Sequence, residues 1–209
     1  TVPAGKRPVV LTFDDSTIGQ FRLLADGSVD PDCAVGLLQA FHDEHPADWP
    51  MRATFFVLQG EGEPGVATFG QPSLAKDKLA MLAEWGMEIG GHTISHANLA
   101  QLSEDAVRRE LAVAQAQLEE WVPGYEVVSL SVPYGMFPKD PSLIAGGEYQ
   151  GFSYSYKLAV MVGASPSHSP RSSEFDPYHV PRVQAIQSEL DYWLDYVSQP
   201  GVHYVSAGE

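Results

Sequence analysis

The chain has 209 residues, 44% of them hydrophobic, and a net charge of −15 from 12 basic and 27 acidic side chains. Such a chain can bury the core of one globular domain; it repels a phosphate backbone, which excludes nucleic acid as a partner, and it has no apolar run of the roughly 18 residues that a membrane span needs. Cys33 is the one cysteine, so an internal disulfide and a cysteine-based zinc site are excluded as well.

No leader is visible at Thr1, and the numbering is expected to begin after a removed segment. Residues 8–13 (PVVLTF) form a β-rich run that ends at Asp14-Asp15. Residues 31–45 read as a helix, with Asp30 as its cap, Pro31 in its first turn and Cys33 as a small buried side chain. His42 and His45 at its end read as solvated. Residues 52–58 (RATFFVL) are the next strand, followed by a Gly-, Glu- and Pro-rich loop over 59–72. A helix over 73–85 puts Leu79 and Leu82 on one face, and a short strand over 87–90 enters the stretch GGHTISH. The clearest helix is 103–122, where Val107, Leu111, Ala114, Leu118 and Trp121 recur at helical spacing until Pro123-Gly124 stops it. Residues 126–132 (EVVSLSV) are another strand, and 152–162 holds one or two more. A Ser- and Pro-rich loop over 163–179 precedes a last helix over 188–199, where Ser188 and Asp191 make a capping-box pattern, and a final strand over 202–205. Repeated β–α units with no internal repeat or linker predict a single α/β domain over residues 1–209 on a mostly parallel sheet, closed as a barrel or open.

Three stretches carry chemistry. Asp14-Asp15 directly follows an apolar strand; alone the pair reads as a polar turn, yet adjacent carboxylates repel unless a cation or proton shares the site. His92 and His96 lie four apart, a spacing that puts both imidazoles on one side of a helical turn, and they too follow a strand. In a parallel α/β fold the carboxyl ends of strands open onto one face, where active sites sit. Asp15, His92 and His96 would meet there. Two histidines and one carboxylate, with a position left for water, match a catalytic zinc site rather than a structural one. The third stretch, Ser131-Val132-Pro133-Tyr134-Gly135, ends another strand; it is either a plain turn or a place where a backbone N–H faces the substrate.

In their order and strand context these motifs resemble the polysaccharide deacetylase family, the NodB-homology domain of carbohydrate esterase family 4. LTFDDS resembles the family's TFDDG, HTISH matches H-[ST]-x-x-H, and SVPYG resembles R-x-P-Y; the resemblance runs from about Pro8 to about Val183. It implies a distorted (β/α) barrel with about seven parallel strands. It also implies a metal-dependent hydrolase that removes N-acetyl or O-acetyl groups from an acetylated glycan. By carry-over Asp15, His92 and His96 hold the metal, zinc or else cobalt or nickel. Asp14 is then the general base for a metal-bound water, and the Tyr134 N–H is an oxyanion donor. Apart from the resemblance, loop 163–179, long and directly before Val180, either borders the substrate groove or is a plain surface excursion. A secreted or envelope-associated monomer is expected.

Three departures temper the match. Ser16 stands where the family has glycine, and Ser131 where it has the arginine that pairs with the catalytic aspartate. The family's L-x-H, which carries the general-acid histidine, is not recognisable; His168, His179 and His203 remain as candidates. The run Val180-Pro181-Arg182-Val183 reads as a short strand, and Arg182 either lies at the surface or supplies the missing guanidinium to Asp14. A catalytically degenerate glycan-binding domain of the same fold is the alternative. A related amidohydrolase acting on a small C–N substrate is a third reading, with no residue signal of its own.

Overall fold

The computed structural model describes residues 3–60, 68–199, 201 and 205–208. Its centre is a sheet of five parallel strands: β1 (Thr12–Phe13), β2 (Thr54–Val57), β3 (Glu88–Gly91), β4 (Ser129–Ser131) and β7 (Leu158–Val160), in the order β1-β2-β3-β4-β7. The expected seven parallel strands are therefore five among the described residues. Two apolar runs account for the difference. In residues 8–13 only Thr12 and Phe13 pair with β2, and Val9 and Val10 are exposed. The run from Val180 to Val183 contributes one parallel bridge, Val160 to Val180.

Helices α1 (Ala34–Glu44), α2 (Ala75–Glu84) and α3 (Glu104–Trp121) follow β1, β2 and β3 as crossovers. The α1 helix starts later than expected: Cys33 is its N-cap, and Asp30 instead accepts the Asp32 N–H at 3.0 Å and pairs with Arg22 at 3.2 Å. Gly36 lets that entry fold tightly, since a Cβ there would lie 2.2 Å from the Asp30 carbonyl oxygen. His42 is not solvated; its Nδ1 lies 2.6 Å from the Trp49 carbonyl. The α3 helix follows its sequence pattern closely, with the Ser103 hydroxyl accepting the Ala106 N–H at its start. Its stripe of Val107, Leu111, Ala114 and Leu118 is buried against the sheet and the hairpin; a fully buried leucine is worth roughly 1.5–3 kcal/mol. The hairpin, β5 (Gly146–Tyr149) with β6 (Phe152–Ser155), turns through Gln150 and Gly151, both at positive φ, the two-residue geometry that matches strand twist.

The last helix, α4 (Gln187–Ser198), is begun by Ile186 with no side-chain cap. The Ser188–Asp191 pattern is not a capping box; Asp191 accepts from Gln187 at 2.7 Å, and no α4 residue is buried. Of the loop over 59–72, residues 61–67 lie outside the described residues, and Thr68–Gly70 and Pro72–Leu74 are short 3-10 turns. The final strand over 202–205 falls almost wholly outside the described residues; Ser206 beyond it exchanges backbone bonds with Gly5 and Lys6.

The sheet is curled. Strands lie about 4.8 Å apart, so a flat sheet of this order would put the Val180 segment roughly 24 Å from β1. Arg182, two residues beyond Val180, nevertheless reaches Thr12 of β1 at 3.0 Å. The two edges meet at the carboxyl end of the strands, and the site lies there.

Candidate metal centre

The turn after β1 is left-handed at two non-glycine residues, Asp15 (φ 73) and Ser16 (φ 50). Hydrogen bonds hold it open. Gln20 Nε2 donates to the Asp14 carbonyl, the Leu58 N–H donates to Ser16 Oγ at 2.8 Å, and the Phe69 N–H donates to the Ser16 carbonyl at 2.6 Å. Serine in place of glycine thus carries a backbone strain but returns a hydroxyl that ties the turn to the end of β2.

His92 follows β3 directly and is almost completely buried. The histidine pair does not sit on a helical turn. Thr93 (φ 64) and His96 (φ 55) are both left-handed, and the loop between them brings the two rings to 4.9 Å. His92 Nε2 and His96 Nε2 lie 3.2 and 3.4 Å from Asp15 Oδ1. One ligand atom from each of the three residues fits within a 4.8 Å span.

The donor chemistry of this trio fits a cation. His92 Nδ1 lies 2.7 Å from the Ser131 carbonyl, which can only accept, so Nδ1 carries the hydrogen. In a neutral ring Nε2 then presents a lone pair, and it faces a carboxylate oxygen. Two acceptors at that distance repel unless a second proton or a metal ion lies between them. A histidine whose other nitrogen donates to a carbonyl is how metal-binding imidazoles are oriented.

Beside the trio, Asp14 is gripped by a guanidinium. Arg182 Nη1 donates to Asp14 Oδ1 at 2.8 Å and Nη2 to Oδ2 at 2.7 Å. Ser131 Oγ donates to Oδ2 at 2.8 Å and accepts from Arg182 Nη2 at 3.0 Å. Arg182 is itself fixed by the Met161 carbonyl, Thr12 Oγ1 and the face of Phe56. Burial pushes the Asp14 carboxyl up, but the Arg182 hydrogen bonds, the His92 and Arg182 charges and the Ser131 hydroxyl outweigh it, and the group ends below its ordinary value. Asp15 is also held low, first by its bond with His92, against some burial. Tyr134 packs edge-on to His96, ring centroids 4.5 Å apart, in a left-handed conformation (φ 58). Two of the histidines considered as general acids have partners of their own. His179 is bonded to Asp176 at 2.9 Å and stacked on Phe137, His168 pairs with Glu174 at 3.4 Å, and His203 is outside the described residues.

The family model of polysaccharide deacetylases matches residues 1–146. The chain belongs to the polysaccharide deacetylase family. A Bacillus cereus peptidoglycan-N-acetylglucosamine deacetylase is 31% identical over 133 residues, 64% of this chain and 38% of that protein. The chain therefore spans well under half the length of that curated relative. Among solved structures, the Streptococcus pyogenes deacetylase PplD in complex with acetate superposes with a TM-score of 0.65 at 20% identity, covering 93% of this chain and 72% of that one. BC0361, a polysaccharide deacetylase from Bacillus cereus, gives a TM-score of 0.57 at 14% identity, covering 84% and 46%. At these identities the superpositions speak for the fold.

For a polysaccharide deacetylase the arrangement has an unusual source for its guanidinium, which comes from Arg182 and not from position 131. The motif reading missed three supports. Thr12 and Gln20 brace the aspartate side, and Glu110 of α3 accepts from the histidine loop. Only Glu110 left a signal in the chain: it is a charged residue on the apolar stripe of α3, between Val107 and Ala114.

Proposed function

We propose that the chain is a metal-dependent hydrolase that removes N-acetyl or O-acetyl groups from a carbohydrate polymer. The observation that carries this reading is the approach of His92 Nε2 and His96 Nε2 to one oxygen of Asp15, with His92 Nδ1 committed to the Ser131 carbonyl. Asp15, His92 and His96 would hold zinc, or cobalt or nickel. When bound, the metal supplies Lewis-acid polarisation of the acetyl carbonyl and acidifies water.

The remaining work falls to the protein. Asp14 is the general base, and its bonds specify the atom. A carboxylate offers about four lone-pair directions. Arg182 and Ser131 occupy both on Oδ2, and Arg182 occupies one on Oδ1. The free direction on Oδ1 is left to take a proton from the attacking water. The lowered pKa keeps that oxygen ionised at neutral pH. The Tyr134 N–H is assigned to the developing oxyanion, a role worth about 3 kcal/mol of barrier. Arg182 is a positioning residue, acting through Asp14.

The rival reading, a degenerate glycan-binding domain, drew its support from the missing arginine at Ser131 and from the unrecognisable last motif; the guanidinium on Asp14 answers the first of these. The similarity to a peptidoglycan-N-acetylglucosamine deacetylase makes N-acetylglucosamine of peptidoglycan the first substrate to try, with secretion or envelope association as the matching location. Zinc titration of the metal-free protein and acetate release from acetylated glycans test the proposal. Asp15→Ala, His92→Ala and His96→Ala are each expected to lose zinc and activity while the fold persists. Parental zinc binding in all three would place the site elsewhere.

A further inference from the structure

The loop that carries His92 and His96 is strained and irregular, so something must hold it. Thr93 is β-branched and left-handed (φ 64), and His96 is left-handed too (φ 55). Such residues are strained and persist only where the surroundings over-determine them. Backbone bonds do not close this loop on itself. Its middle residues donate to one side chain, Glu110. The Ile94 and Ser95 N–H groups both donate to Glu110 Oε2 at 3.1 Å, and the Ser95 hydroxyl donates to Oε1 at 2.7 Å.

Glu110 is placed against ordinary packing logic. It lies on the stripe that α3 buries, between Val107 and Ala114, and is itself 5% exposed. A buried carboxylate costs several kcal/mol unless hydrogen bonds and charge offset its lost water. Three donors from the loop do so, with the Arg109 guanidinium at 3.7 Å. An apolar residue would fill the stripe but would leave the two N–H groups without their acceptor.

We infer that Glu110 is a positioning residue for the metal ligands: its carboxylate clamps the backbone between His92 and His96 and so sets where both Nε2 atoms point. The clamp grips from one side, the His92 Nδ1 bond to Ser131 and the His96 N–H bond to Thr93 Oγ1 from the others. Losing partners that orient metal ligands typically costs ten- to a hundredfold in metal affinity. This inference rests on the metal assignment of the proposed function.

The experiment is a zinc competition titration of metal-free parent, Glu110→Gln, Glu110→Asp and Ser95→Ala, each also loaded with cobalt for its visible spectrum. The glutamine keeps the shape but has one acceptor oxygen for three donors, and its own NH₂ faces a donor. Glu110→Gln is expected to bind zinc about ten- to a hundredfold more weakly and to shift the cobalt bands. Glu110→Asp, which keeps the charge, recovers part of the affinity. Ser95→Ala removes one donor, and about a tenfold loss or less is expected; it also serves where Glu110→Gln does not fold. In the double variant Ser95→Ala adds little to Glu110→Gln. A merely structural glutamate would lower the melting temperature and leave the zinc affinity and the cobalt spectrum of the folded protein unchanged, and that result overturns the inference. Equal affinity in parent and Ser95→Ala counts against it in the same way. A parent that takes up no zinc sinks the proposed function and this inference together, whereas parental zinc binding in the Glu110 and Ser95 variants sinks this inference alone.

Discussion

The two sides of the mouth are anchored by buried charges of opposite sign. On the histidine side Glu110 of α3 accepts from the N–H groups of the loop after β3. On the aspartate side Lys78 of α2, fully buried between the rings of Phe21 and Phe69, donates to the carbonyls of those residues at 2.7 and 3.0 Å. Phe21 belongs to the loop after β1, and Phe69, in the chain after β2, is bonded to Ser16 of the aspartate turn. The sign follows from which backbone groups each loop leaves without a partner. The sides also differ in reach. Glu110 lies 15 and 16 positions from its backbone partners, while Asp14 depends on Arg182, 168 positions away. A local clamp holds the proposed metal ligands, and a long-range one holds the proposed base, so the two functions should fail separately.

The largest expected effect tests that separation. Asp14→Asn should bind zinc like the parent and lose about 10²–10⁴ in kcat, the usual contribution of a positioned base. Loss of zinc in this variant would merge the two sides into one unit. Retained turnover in a zinc-loaded Asp14→Asn protein would take Asp14 out of the chemistry.

The next effect is that of Arg182. Arg182→Ala should lose most of the rate without losing metal, and Arg182→Lys should recover only part, because an ammonium cannot copy the two-point grip. The pH profile gives the sign. Burial raises the Asp14 pKa, and Arg182 is the main group that brings it down. With Arg182 gone the carboxyl stays protonated to higher pH, so the acid limb of kcat/KM moves upward. Ser131→Arg in the Arg182→Ala background should restore some activity by supplying the guanidinium from β4. An acid limb that stays in place in Arg182→Ala would mean that another group sets the charge of Asp14.

Local signals were legible in the chain and long-range ones mostly were not. Asp15, His92 and His96 could be named because each lies in a short motif that directly follows a strand. Arg182 could be suspected only from a gap, a buried carboxylate with no cation at Ser131. Its contacts with Thr12 and Asp14 depend on the curl of the sheet, which no spacing encodes. Residues 8–13 and 180–183 have strand composition, but a strand needs a neighbour, and among the described residues Val9 and Val10 pair with no strand. Asp30 and Ser188 are good capping types at the wrong position, since the chain enters α1 and α4 through Cys33 and Ile186. The helical spacing of His92 and His96 misled for a related reason: two left-handed residues bring the rings together without a helix.

The smallest expected effect concerns Lys78 and sharpens the contrast of sign. Burial pushes its ammonium down to about 8 from an ordinary 10.5, partly opposed by the nearby Cys33 thiol. A lowered lysine pKa means that folding disfavours the charged form. Below about pH 8 both the folded and the unfolded chain hold the proton, and the full cost of burying the charge is present. Between about 8 and 10.5 the unfolded chain holds a proton that the folded chain has shed, so this group adds stability as pH rises through that window. Melting curves of the parent and of Lys78→Met, taken at about pH 7 and about pH 9.5, should show the parent gaining on the variant. Making the comparison in a Cys33→Ala background removes the titration of the thiol itself. The methionine leaves the carbonyls of Phe21 and Phe69 without their donor, so the variant is less stable at both pH values; the quantity read is the change in the gap. Its zinc affinity should fall less than that of Glu110→Gln, because Lys78 reaches the aspartate turn indirectly, through the residues around Phe21 and Phe69. A gap that does not change with pH would show that Lys78 titrates at its ordinary value, with its charge satisfied by the two carbonyls and the two rings. A zinc loss as large as that of Glu110→Gln would make the two anchors equivalent and end the contrast between the sides.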